Sequence, residues 1–122
     1  MTSHHLRRIL VVEDDIDLQL IMRLTLESAG HEVIAVTTAE EAEPVVPTVD
    51  LVFLDVRLPG MSGLELLARV RPHEPPPIVV MSAHADVRVA DEAMALGARA
   101  FLGKPFEPAW VCEQVGIWAT VS

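Results

Sequence analysis

The sequence predicts an α/β domain, a five-stranded parallel sheet in the order 2-1-3-4-5 flanked by five helices in the doubly wound manner. Three observations carry this reading. Apolar runs of strand length recur at residues 9–12, 33–36, 51–54 and 78–81, with a fifth stretch at 98–102 that Arg99 interrupts, and a run apolar on both alternating faces is that of a strand covered on both sides. The stretches between them repeat apolar residues at three- and four-residue spacing, as amphipathic helices do. Strict alternation of the two element types then calls for parallel pairing through helical crossovers.

Arg7 and Arg8 lead into the first strand, which ends in Glu13-Asp14-Asp15. From Asp17, the residues Leu18, Met22, Leu26 and Ala29 mark the inward stripe of a first helix, which Gly30 closes. Leu20 and Leu24 fall on its flank, toward solvent or a partner. His31-Glu32 opens the second strand. Residues 39–46 then read as a short helix, and Pro44 should shorten or kink it by removing a backbone bond.

Pro47 and Asp50 precede Leu51-Val52-Phe53-Leu54, which runs straight into Asp55 and the turn Arg57-Leu58-Pro59-Gly60. Ser62 followed by Glu65 has the form of a capping box, with Leu64, Leu67 and Val70 inward. Residues 72–77, four of them proline, stop that helix and make a stiff extended connector. The fourth strand ends in Ser82. A helix over residues 86–96 is expected to carry Ala90, Ala93 and Met94 inward and to close at Gly97. The fifth strand is followed by Gly103-Lys104-Pro105. In the last helix, about 107–120, Val111, Val115 and Trp118 lie on one stripe while Trp110 and Ile117 lie on another, and a single core stripe cannot hold both.

A chain of 122 residues with 51% apolar content suits one globular domain with a real core. The net charge of −9 repels a nucleic-acid backbone, so direct nucleic-acid contact is not expected, whereas divalent cations and basic protein surfaces are suitable partners. No apolar stretch reaches the roughly 20 residues that span a bilayer, and the amino terminus has no secretory pattern. A cytoplasmic location without a membrane partner is therefore expected. Cys112 reads as a packed thiol. His4, His5, His31, His73 and His84 show no metal-ligand spacing, and the methionines read as core filler.

The chemistry gathers at strand ends. Strands one, three, four and five end in Glu13-Asp14-Asp15, Asp55, Ser82 and, one glycine on, Lys104, the only lysine in the chain. With the order 2-1-3-4-5 these residues share one rim, and the topological switch between strands one and three is where the acids meet. Carboxylates gathered a few Å apart repel one another and call for a cation. Mg²⁺ suits them, since it takes one or two carboxylates and leaves positions for phosphate oxygens. A carboxylate beside Mg²⁺, with a hydroxyl and an ammonium converging on it, is a set of parts for phosphoryl transfer with Asp55 as nucleophile. Each part has a plainer reading. Asp55 can cap a turn, three acids suit a helix amino terminus, Ser82 can be a cap and Lys104 a surface lysine. Their coincidence at four strand ends decides for the site.

With these residues in these places, ILVVEDD, LVFLDVRLPGMSG, VVMSA and FLGKPF, the chain resembles the receiver domain of two-component response regulators, a flavodoxin-like phosphoacceptor family. The likeness covers residues 8 to 120, so residues 1–122 read as a single receiver domain. The resemblance implies that Asp55 is the phosphoacceptor, that Asp14 binds Mg²⁺ directly and Glu13 through water, and that the backbone carbonyl of Arg57 completes the metal site with Asp55. It implies that Ser82 is the family's hydroxyl, Lys104 its lysine, and Phe101 its switch aromatic, here without the phenolic hydroxyl. It also implies a cis Lys104-Pro105 bond and makes Arg57 and His84 the positions that tune phosphoryl lifetime.

The implied phosphodonor is a sensor histidine kinase or a phosphotransfer domain. Phosphorylation would pull Ser82 and Lys104 inward, with Phe101 following, and change the surface of the fourth helix, fifth strand and fifth helix. Trp110 and Ile117 make that surface apolar, which predicts an output contact or a homodimer there. No output domain follows the fifth helix, so the expectation is a stand-alone receiver or a piece of a longer protein. On this reading the chain is no enzyme beyond its own phosphorylation and dephosphorylation. Two rivals stand beside it. An Mg²⁺-dependent aspartyl-phosphate phosphatase usually has a second acid two residues after the nucleophile, on its first strand, where this chain has Arg57 on its third. A receiver-like binding module that is never phosphorylated is harder to reconcile with Asp14, Asp55 and Lys104 all being present.

Overall fold

The computed structural model describes residues 6–83 and 87–120. Five strands, β1 (Arg8–Val12), β2 (Glu32–Val36), β3 (Leu51–Asp55), β4 (Ile78–Ser82) and β5 (Ala100–Gly103), alternate with five helices, α1 (Ile16–Ser28), α2 (Ala39–Ala42), α3 (Gly63–Val70), α4 (Val87–Ala95) and α5 (Pro108–Trp118). All pairings are parallel and the order is β2-β1-β3-β4-β5, as the sequence predicts.

The registers explain why the carboxyl ends of the strands make one rim. Val12 lies opposite both Val36 and Leu54, Asp55 opposite Met81, and Ser82 opposite Gly103. Alternation along each strand then divides the core into two layers. Leu10, Val12, Val52, Leu54 and Val80 face one way, with Leu66, Leu67 and Ala93, while Ile9, Val11, Phe53, Val79 and Met81 face the other, with Met22, Leu26, Val111 and Val115. Phe53 is fully buried, and its ring centroid lies 5.9 Å from that of Trp118 in a T-shaped arrangement. Truncating such a side chain costs about 3–5 kcal/mol.

Several local expectations are corrected. Helix α1 starts at Ile16, because the Asp15 carboxylate caps it by accepting from the N–H groups of Asp17 and Leu18. Ala29 is the carboxyl cap and lies exposed, so the inward stripe ends at Leu26. Helix α2 stops at Ala42, before Pro44, and Pro47 sits in a separate 3₁₀ turn, Val46–Thr48. The connector after α3 is not extended throughout. Arg71–His73 forms a 3₁₀ turn and Glu74 takes a left-handed conformation (φ 50°) before the prolines run on to β4. In α3, Leu66 joins Leu67 and Val70 as buried, while Leu64 is half-buried. In α4 only Ala93 is buried. Met94 is 49% exposed, because Gly97 (φ +95°) turns the chain there and Leu96 packs against the core instead. His84 and Asp86 lie outside the described residues, so the lifetime-tuning position at His84 and the expected start of α4 are not described.

The divided pattern of α5 resolves as follows. Val111 and Val115 are buried, Trp118 is half-buried beneath them, and Trp110 and Ile117 are 47% and 68% exposed. The Trp110 ring pairs with that of Trp118 in a T-shaped arrangement, centroids 5.9 Å apart.

Candidate functional site

The acidic turn after β1 puts its three carboxylates to three different uses. The N–H of Glu13 continues the ladder onto the carbonyl of Val36, which turns the Glu13 side chain fully inward. Its Oε2 accepts the N–H of Asp15 at 3.1 Å. Asp15 starts the helix, and Asp14 stays exposed at the rim.

Asp55 ends the central strand and is 4% exposed. Its Oδ1 accepts the N–H of Arg57 at 3.2 Å and its Oδ2 accepts from Lys104 Nζ at 3.1 Å. The same ammonium donates to Glu13 Oε1 at 2.5 Å. Lys104 is brought there by β5, where its backbone N–H bonds the Ser82 carbonyl at 2.7 Å and its peptide to Pro105 is cis, as the resemblance implies. Ser82 is buried at the adjoining end of β4. Carboxylate oxygens of Glu13, Asp14 and Asp55 lie within 4.8 Å of one another.

The electrostatics follow from that crowding. Burial, and then the hydrogen bond shared with Asp55, push the Glu13 carboxyl up to about 7, against the opposing pull of Lys104. Burial works against the Lys104 charge, but its bonds to Glu13 and Asp55 outweigh this and hold its pKa above the ordinary lysine value. Three acids against one ammonium leave the pocket short of positive charge. An all-oxygen donor set of this kind fits Mg²⁺ rather than a softer metal.

The tertiary structure thus brings Glu13, Asp14, Asp55, Ser82 and Lys104 to one rim. Arg57 is adjacent, its side chain exposed and its N–H on Asp55. Phe101 lies on β5, half-buried against the core. Trp110 and Ile117 are not in the pocket but on the outer face of α5. Two contributors had no role in the sequence reading. Gln19 bonds the backbone at the ends of β1 and β2, and no periodicity could reveal that. Gly63 starts α3 against the Asp55 backbone. Its signals were its place at the end of LVFLDVRLPGMSG and at the first position of a helix, where Gly is a poor helix former.

A doubly wound domain whose switch-point rim gathers three carboxylates, a hydroxyl and a single lysine has the architecture of the receiver modules of two-component signalling. The chain belongs to the response regulator receiver domain family, whose model matches residues 9–115. It is 41% identical over 102 residues to the transcriptional regulatory protein FixJ of Bradyrhizobium diazoefficiens, covering 81% of this chain and 50% of that protein. It is 44% identical over 103 residues to the response regulator protein FleR of Pseudomonas aeruginosa, covering 82% and 22%. The chain therefore spans half or less of these curated relatives. Among solved structures, a CheY-like receiver domain protein from Methanospirillum hungatei superposes with a TM-score of 0.87 at 28% identity, covering 93% of this chain and 94% of that one. NtrX from Brucella abortus superposes with a TM-score of 0.82 at 33% identity, covering 93% and 26%.

Proposed function

We propose that this receiver is a phosphorylation switch. Asp55 accepts a phosphoryl group from the phosphohistidine of a sensor histidine kinase or phosphotransfer protein, and an output partner or a second copy reads the result on the surface of α4, β5 and α5. The observation that carries this reading is the double tether of Asp55. Arg57 N–H holds one oxygen and Lys104 the other, so a nearly buried carboxylate is aimed at the rim by rigid strand ends.

A carboxylate oxygen of Asp55 attacks phosphorus as the bond from phosphorus to the histidine nitrogen breaks, its electron pair staying on nitrogen. Lys104 neutralises the equatorial oxygens. Glu13, Asp14, Asp55 and the carbonyl of Arg57 would hold Mg²⁺, which when bound supplies further positive charge to those oxygens. The added charge of roughly −1.5 to −2 draws Ser82 onto a phosphoryl oxygen, and Phe101 follows into the space vacated. The chain catalyses nothing beyond its own phosphorylation and dephosphorylation.

Treatment with acetyl phosphate and MgCl₂ should add the mass of one phosphoryl group to the wild type and nothing to Asp55→Asn. A modification that persists in Asp55→Asn would overturn the assignment. So would a wild type that takes up neither a phosphoryl group nor beryllofluoride.

A further inference from the structure

One side-chain amide sits at the joint from which the acids project. Gln19, on α1, donates from Nε2 to the carbonyl of Glu13 and to the carbonyl of Val36, both at 3.0 Å. Val36 O also accepts the N–H of Glu13 at 3.0 Å. The amide has two hydrogens and both are used. A single side chain therefore ties together α1 and the carboxyl ends of β1 and β2.

The Glu13 carbonyl belongs to the peptide that leads to Asp14. Because that peptide is planar, pinning its oxygen also sets the direction in which the chain carries the Asp14 side chain. This matters for Asp14 in particular. Glu13 is held by Lys104 and by the Asp15 N–H, and Asp55 by Lys104 and the Arg57 N–H. Among the described residues the Asp14 carboxylate has no such partner, and it is exposed. Only its backbone orients it toward the oxygens of Glu13 and Asp55.

We infer that Gln19 is a positioning residue for the Mg²⁺ site, holding the Glu13–Asp14 peptide so that the Asp14 carboxylate meets the other two. This rests on the function proposed above. Residues that orient metal ligands typically change affinity by about 10–100-fold when removed, and Gln19→Met keeps the length of the side chain while deleting both donors.

The test is an NMR titration of the metal-free chain with MgCl₂, following the Asp14 and Asp55 amides, in wild type and Gln19→Met. The variant should bind roughly tenfold more weakly at a temperature where its circular dichroism matches the wild type. In the wild type the side-chain NH₂ resonances of Gln19 should shift with the same midpoint as the Asp14 amide. A staple that only stabilises the fold would lower the melting temperature and leave affinity within twofold, and that result overturns the inference. If Gln19→Met fails to fold, the wild-type resonances decide. A Gln19 NH₂ group unmoved while Asp14 titrates also overturns it. A wild type that binds no Mg²⁺ at all overturns the metal site itself, a failure distinct from these two.

Discussion

Gly63 lies so close to Asp55 that a Cβ built on it would fall 2.1 Å from the Asp55 carbonyl oxygen. No flexible side chain can move aside, because the atom met is backbone. The first turn of α3 therefore packs directly on the peptide of Asp55, the proposed phosphoacceptor, and the Gly63 N–H bonds the next carbonyl, that of Val56, at 2.9 Å.

Gly63→Ala should accordingly destabilise the domain by about 2–4 kcal/mol, although alanine is the better helix former. Urea denaturation measures this. A variant as stable as the wild type would mean that the contact is looser than described.

Lys104 is the only cation within 4.0 Å of either buried carboxylate among the described residues. Replacing it with Met should cost about 3 kcal/mol at pH 8, since removing one partner strands buried charge. The loss should shrink near pH 5, where Glu13 is protonated. Denaturation of the metal-free variant at the two pH values checks this, and a pH-independent loss would count against the charge account.

Glu13 gives the pH dependence a definite sign. Its carboxyl is raised from 4.5 to about 7 on folding, so the folded state binds the proton more tightly. Stability is full below the unfolded value and declines as pH rises from 4.5 to about 7. The fall should be on the order of 3 kcal/mol in EDTA, at about 1.4 kcal/mol per pKa unit. Glu13→Gln should flatten it, as should MgCl₂, because binding requires the ionised carboxylate. Wild-type stability that rises across this window would contradict the assignment.

Trp110 and Ile117 leave an apolar patch on the outer face of α5. With beryllofluoride and Mg²⁺ bound, the wild type should self-associate, and Trp110→Ala should weaken association at least tenfold, as expected for a hot-spot aromatic. The loss of stability should be small beside that of truncating a fully buried ring, since Trp110 is 47% exposed. Identical sedimentation of the two proteins would remove this face as the dimer contact.

Much of the site was legible because its residues sit where patterns stop. Asp55, Ser82 and the acids after Val12 each end a continuous apolar run, and in a parallel sheet such ends share a rim. Element edges were less legible. Whether Met94 or Leu96 turns inward depends on where Gly97 ends α4, and Ala29 left the inward stripe of α1 once it became the cap. Pro44 announced that α2 would be short, but not that a 3₁₀ turn would follow it.

By itself the sequence determined the five strands, their parallel pairing and the acids, hydroxyl and lysine at their ends, because burial on both faces and helical spacing are properties of neighbouring residues. Only the tertiary structure decided that Glu13 is buried while Asp14 stays at the surface, that one ammonium serves both Glu13 and Asp55, that Gln19 pins the acidic turn, and that Gly63 admits no side chain. Those outcomes depend on distances between groups far apart along the chain, such as Lys104 and Glu13, 91 residues distant. Periodicity carries no information about such distances.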